Sequence, residues 1–292
     1  HQQAAAYRHW QPGQPVWKSP GTLWAGDQGN LLNQRRNRER EDIMSLLQDL
    51  FRREDRPGPG VEPNEPRKKG IRRLWEVCTR DLSSFFGAGL AGLAGILPWM
   101  MLVSLALLTR SVAGTAVAGA LGGMIAAPEL CALTDLILRG LRDEPFYGWS
   151  AWRKAWKESL KAGLLPGAVL GAAAALERLA VQLILEGSGT PGLLGGVLLG
   201  MVIGVGLALY LVSQIVLFDQ PLGRTLKNSV LLFLHGLPRS VGAAILLLAY
   251  GVGIGWFAPA SYVVLILGNG WLPAAAALFL IYRPMEQALD LE

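Results

Sequence analysis

Cysteine and histidine are scarce in this 292-residue chain. The two cysteines, Cys78 and Cys131, are far apart and outside any C-x-x-C or similar metal-ligand spacing, so they read as two unrelated thiols. The three histidines, His1, His9 and His235, exclude H-E-x-x-H and His-rich metal sites. With His235 the lone histidine beyond residue 9, and no G-x-S-x-G, no nucleophile–base pair emerges. The phosphate-loop pattern G-x-x-x-x-G-K-[ST] is also missing. The expectation is a protein without catalytic residues, metal or cofactor, and not an enzyme.

Charge is the second shortage. Charged residues make up 17% of the chain, against about 25% in an ordinary soluble domain. The deficit is local: 26 of the 49 charges fall in residues 1–82, and the remaining 23 are spread over the 210 residues of 83–292. Apolar runs near 20 residues recur there, which is the pattern of a multi-span membrane protein with the lipid bilayer as its first partner. A net charge of +5 is too weak to imply nucleic acid, and none is expected as partner. The oligomeric state is not readable from the sequence.

Three regions follow. Residues 1–30 hold Trp10, Trp17 and Trp24 among Gln, Gly and Pro without periodicity, and are expected to be a flexible tail. Residues 31–82 combine a charged helix, a Pro-rich linker and a basic leader. The helix is announced by a stripe of Ile43, Leu46, Leu47, Leu50 and Phe51. The linker is RPGPGVEPNEP (56–66), and the leader carries Arg67, Lys68, Lys69, Arg72 and Arg73. Such a basic cluster before a first span is a cytoplasmic anchor signal. The first long apolar run begins near Ser84, so no cleaved secretory signal is expected.

Residues 83–292 are expected to form six transmembrane helices, near 84–108, 113–138, 162–185, 193–217, 239–257 and 261–282. The fifth is of marginal length. The sixth is broken by Gly268-Asn269-Gly270 and Pro273, and the piece 271–282 is too short to span alone. Between the fourth and fifth, residues 223–236 read as a short interfacial helix starting at Pro221. Lys and Arg divide unevenly between the alternating loops. Arg139, Arg142, Arg153, Lys154, Lys157, Lys161, Arg224, Lys227, Arg239 and Arg283 fall on one side, and only Arg110 on the other. The positive-inside rule makes the first side cytoplasmic, with both termini there. The fold class expected is therefore an all-α polytopic helix bundle.

Several residues stand out against this background. Ionisable groups inside spans are costly and mark function or pairing. Glu129 and Asp135 lie on the second span, Asp135 close enough to its cytoplasmic end to be wetted. Glu177 and Arg178 are neighbours on the third, pointing about 100° apart, with Arg178 placed to snorkel outward. Trp149, Trp152 and Trp156, with Lys154 and Lys157, put three indoles on one face of a loop helix, suited to the headgroup level or to a cytoplasmic partner. Gly87, Gly89, Gly92 and Gly95, then Gly119, Gly122 and Gly123, then Gly196, Gly200, Gly204 and Gly206 recur at helix-packing intervals.

Four stretches, in order, resemble the YesL-like membrane proteins, a bacterial family of unknown biochemical function. They are GPGVEPNEPRKKGIRRLWEVCTRDL (58–82), LILRGLRDEPFYGWSAWRKAWKESLKAG (136–163), FDQPLGRTLKNSVLLFLHGLPRS (218–240) and YRPMEQAL (282–289). The similarity covers roughly 55–290, and the Trp-rich tail has no counterpart. The resemblance implies an accessory or scaffold component of carbohydrate uptake, with an ABC-type transporter or another membrane subunit as partner. It carries no catalytic residues. Its most specific stretch maps onto Asp219, Pro221, Arg224, Lys227, Asn228, Pro238 and Arg239. The alternative expectation is a transporter or substrate-binding membrane component for a small solute. It is motivated by Glu129, Asp135 and the broken sixth segment, because broken helices often border ligand sites.

Overall fold

The computed structural model describes residues 70–289. The tail expected at 1–30, and the stripe helix and proline linker of 31–69, lie outside the described residues. Within them every regular element is helical: α1 (Ile71–Arg80), α2 (Leu82–Leu108), α3 (Val112–Leu141), α4 (Gly148–Leu183), α5 (Pro191–Leu217), α6 (Leu222–His235), α7 (Leu237–Trp256), α8 (Tyr262–Gly268) and α9 (Trp271–Leu289). A five-residue π-turn, Ile184–Ser188, closes α4. Five of these helices, α2, α3, α4, α5 and α7, are long and apolar enough to cross a membrane. The pair α8–α9, bent by 60°, makes a sixth if counted as one span. The chain is an all-α polytopic bundle.

The helix starts at the outer turns follow from local chemistry. The Ser111 hydroxyl accepts the Gly114 N–H at 3.1 Å and opens α3. Thr190 does the same for Leu193 at 3.2 Å, with Pro191 in the first turn of α5. Large apolar side chains such as Leu97, Met101, Leu105 and Leu199 remain exposed along the spans. In water such surfaces would associate, whereas in a bilayer they face lipid.

Helix contacts use the small residues only in part. A β-carbon added at Gly123 would overlap the Gly167 carbonyl, and one added at Gly119 would overlap Ala175 and the Gly171 carbonyl. These glycines set the close α3–α4 packing, and Gly89 and Gly95 let α2 accept Asn269 and Glu129. The third set behaves differently. Gly196 meets nothing within 4 Å, and only Gly206 is tightly covered, by the Phe233 ring.

The core is divided. One cluster, at the end carrying α1 (the inner end), joins Val77, Phe85, Leu136, Ile137, Phe146, Tyr210, Phe233, Trp271, Leu278, Ile281 and Met285. A smaller one at the opposite end holds Val103, Leu107, Ala175 and Leu179. Phe85 links the inner cluster, stacked on Phe146 at 6.2 Å and on Trp271 at 5.9 Å. Asn269, in a left-handed conformation at the α8–α9 bend (φ 26°), donates to the Phe86 carbonyl at 3.1 Å. The bend is thereby fixed to the first turns of α2, and α9 packs into the inner-end core beside α1.

Three elements differ from the expectation. The Trp-bearing loop helix and the third span are one helix, α4, of 36 residues, about 54 Å at 1.5 Å per residue. Lysines mark a polarity boundary without breaking a helix, and Pro166 is absorbed within it. The last helix runs 19 residues, past Pro284, beyond the expected short piece 271–282. Its continuation is buried: Met285 is 0% exposed, and Pro284 lies where a β-carbon on Gly236 would touch it. Finally, α6 begins after Pro221 as expected, but its face of Thr225, Ser229, Leu232 and Phe233 is buried in protein. Gln214 on α5 donates to Ser229 at 2.8 Å and Phe233 covers Gly206, so α6 runs antiparallel along α5.

Candidate functional site

Polar side chains collect at the inner end in two places. The first is a clamp between α1 and the end of α3. Arg73 donates to Asp143 Oδ2 at 2.5 Å, and Arg80 to Asp143 Oδ1 at 2.7 Å. Arg80 also reaches the Gly140 carbonyl at 2.8 Å and Asp81 at 2.9 Å. Arg73, expected as part of the basic leader, is buried and ties that leader to the bundle. Burial pushes the Asp143 carboxyl up, but the two guanidiniums outweigh it and hold it below the usual carboxylate range. Asp81 goes the other way: burial raises it, and its Arg80 partner offsets only part of that rise. Nearby, burial pushes the Cys78 thiol up to about 11, so this cysteine is an inert packing group.

The second is a cavity of about 590 Å³ between the inner ends of α3, α4 and α5 and the start of α6. Asp135, Arg139, Glu158, Lys161, Asp219 and Gln220 give it its polar lining. Asp135 is 4% exposed and accepts from Arg139 at 2.7 Å, one helical turn away. Asp135, expected close enough to the end of its span to be wetted, is buried and ion-paired and forms part of this cavity's wall. Asp219, from a distant stretch of the chain, lines the same cavity.

The rest of that motif disperses. Asn228 donates to Gln220 at 3.4 Å, behind the cavity rim. Pro221, Arg224, Lys227, Pro238 and Arg239 are exposed and line neither cavity.

Glu129 lies apart, accepting the Trp156 indole N–H at 2.9 Å and covering Gly95. Its second oxygen is buried without a partner, and Glu129 lines neither the polar cavity nor the deeper apolar one. The tryptophan face is turned partly inward. Trp149 is exposed and stacks on Trp152 at 4.5 Å, Trp152 packs on the inner core, and Trp156 serves Glu129. Lys154 and Lys157 remain exposed.

A second cavity of about 320 Å³, almost wholly apolar, lies deeper between α3, α4 and α5, with Trp99 of α2 in its wall. Glu177 lines it and Arg178 is exposed, so the two neighbours do diverge as their spacing requires. Pro166 and Ile215 line both cavities.

Sequence reasoning missed Arg80, Asp143 and Glu158, and the buried pairs Gln214–Ser229 and Tyr210–Ser240. The available signal was polarity: Gln214 interrupts an otherwise apolar span. No group of three or more metal-ligating side chains occurs among the described residues.

Comparison with family models, with curated proteins and with solved structures gives no match for this chain. The YesL-like resemblance accordingly rests on the four quoted stretches.

Proposed function

We propose that this chain is a non-catalytic accessory membrane protein, acting on a transport complex from the cytoplasmic side of a bacterial plasma membrane. The observation that carries this reading is the one-sided distribution of polar groups. The Arg/Asp clamp, the polar cavity and the exposed Lys154, Lys157, Arg224, Lys227 and Arg239 all belong to the inner end. Glu129 lines neither cavity, and the one deeper among the spans is almost wholly apolar, which favours this reading over a solute path at Glu129. The YesL-like resemblance adds the identity of the process, carbohydrate uptake with an ABC-type partner.

The test is purification of tagged full-length chain in mild detergent from cells grown on oligosaccharide. Recovery of an ABC permease or ATPase subunit, lost when Arg224, Lys227 and Arg239 are changed to Glu, is the expected result. Repeated recovery of the chain without any transporter subunit would overturn the reading.

One observation favours a second reading, a solute-binding membrane component: the cavity at Asp135 falls within the ordinary ligand-pocket range of about 300–1,000 Å³. Saturable binding of a free polar solute, abolished by Asp219→Lys with the fold intact, would support it.

A further inference from the structure

The two cavities differ in chemistry and share a wall. The inner one is lined by charges of both signs, and the deeper one is almost wholly apolar, with Pro166 and Ile215 belonging to both. The deeper cleft follows α4 from Gly163 to Glu177, about 21 Å at 1.5 Å per residue. That exceeds one leaflet of hydrocarbon, half of about 30 Å, so the cleft is long enough to take an acyl chain. Ala173 and Ala174 on its rim are exposed, so the cleft is open at its side toward the surface that would face lipid.

The polar end also constrains its occupant. Asp135 and Arg139 neutralise one another at 2.7 Å. Glu158 lies 4.0 Å from Lys154 one helical turn before it, which leaves Asp219 to attract a cation and Lys161 to attract an anion. A headgroup carrying one of each, a phosphate ester with an ammonium group, complements that set. A purely anionic headgroup would face the uncompensated Asp219 carboxylate.

We infer that the joined cavities bind one zwitterionic phospholipid, with its phosphoammonium headgroup among Glu158, Lys161 and Asp219 and an acyl chain along α4 in the cleft beside Trp99. This inference is independent of the accessory role. It competes with the free-solute reading, because it requires the chain as well as the headgroup.

The test uses full-length protein, delipidated in detergent and titrated with defined probes under native mass spectrometry. The zwitterionic probe is lysophosphatidylethanolamine. It is compared with lysophosphatidylglycerol, with glycerophosphoethanolamine, which lacks the chain, and with dodecanol, which lacks the headgroup. The expected result is a single retained adduct for the zwitterionic lysolipid, at least tenfold tighter than for the other three. Ala208→Trp, placed to fill the cleft, should abolish the adduct. Asp219→Lys, at an exposed rim position, should reverse the preference toward the anionic lysolipid while leaving thermal stability unchanged. Should Ala208→Trp fail to fold, the Asp219→Lys reversal decides alone. Equal retention of all lipids, no reversal, or equally tight binding of the chainless headgroup would overturn the inference, the last in favour of a free solute.

Discussion

At the scale of single residues, Asp143 is the most consequential group among those the sequence did not single out. It sits in the turn after α3 and takes guanidinium hydrogen bonds from both Arg73 and Arg80, all three side chains being nearly buried. An uncompensated buried charge costs about 3–5 kcal/mol, and each loss here costs part of that, because Arg73 still pairs with Glu76 and Arg80 with Asp81. Asp143→Asn and Arg80→Ala should each lower the unfolding midpoint in detergent markedly, whereas Arg72→Ala, at an exposed position of the same helix, should not. The pH dependence has a definite sign. The folded Asp143 carboxyl has a lowered pKa, so its stabilising contribution is complete above the ordinary carboxylate pKa. It is lost as pH falls through the lowered value. Asp81, raised by burial, works oppositely, favouring the fold as pH falls through its raised pKa toward the ordinary value. Thermal melts of wild type and Asp143→Asn across acid pH should therefore differ most near neutrality and converge below the carboxylate range. A constant offset at every pH would refute the assignment.

The Glu129–Trp156 hydrogen bond is a second residue-scale case. Trp156→Phe keeps the ring and removes the donor, leaving Glu129 with neither oxygen paired, at a cost of about 1–3 kcal/mol. Glu129→Met removes both the carboxyl and its need for a partner and should be better tolerated. In the double variant the two effects should be clearly non-additive, with Trp156→Phe costing little once Glu129 is gone. Additive losses in the unfolding midpoint would show that the indole N–H is not what satisfies Glu129.

At the scale of elements, legibility depended on what the signal was made of. Long apolar runs require only composition. The expected 84–108, 193–217 and 239–257 lie within two residues of α2, α5 and α7 at each end, and α3 extends 113–138 by three residues inward. Helix continuity through a charged turn is a different matter. Nothing between Gly148 and Pro166 breaks a helix, yet Lys157 and Lys161 read as a loop, and α4 was divided in two. The contact of α6 with α5 was not legible, because an amphipathic stripe looks the same whether it meets lipid or the side of another helix. The site was less legible again. Asp135 meets Asp219, and Arg80 meets Asp143, only through tertiary packing, with no local spacing to announce either. Glycine spacing shows the same limit, because three similar runs were read as packing faces and only contact distinguishes them. Gly123→Val would drive a side chain into the Gly167 backbone and should abolish a monodisperse folded species on size-exclusion chromatography. Gly196→Val, where nothing lies within 4 Å, should elute as wild type. Equal behaviour of the two would mean that α3 and α4 are not held in close contact.

At the scale of the whole molecule, the inner end is both the most densely packed and the most polar part of the described chain. It holds the larger core cluster, the clamp and the charged cavity, whereas the opposite end offers only a small apolar cluster and the exposed Arg110–Glu186 pair at 3.3 Å. The bend at Asn269 contributes to this asymmetry by directing α9 into the core formed by α1, the start of α2 and the end of α3. A C-terminal helix docked beside α1 requires both to lie on the same side of the bilayer. This agrees with the lysine and arginine distribution without depending on it. Both native cysteines are buried, which makes the wild-type background suitable for accessibility mapping. Single cysteines at exposed positions, Arg72→Cys on α1, Gln287→Cys on α9 and Ser188→Cys in the opposite turn, should divide two against one. A membrane-impermeant maleimide should label the first two only in inside-out vesicles, and the third only in intact spheroplasts. If the cysteine at 287 reacts from the side opposite that at 72, the packing of α9 against α1 is wrong. If both react from the outside, the packing stands but the charge-based orientation is reversed.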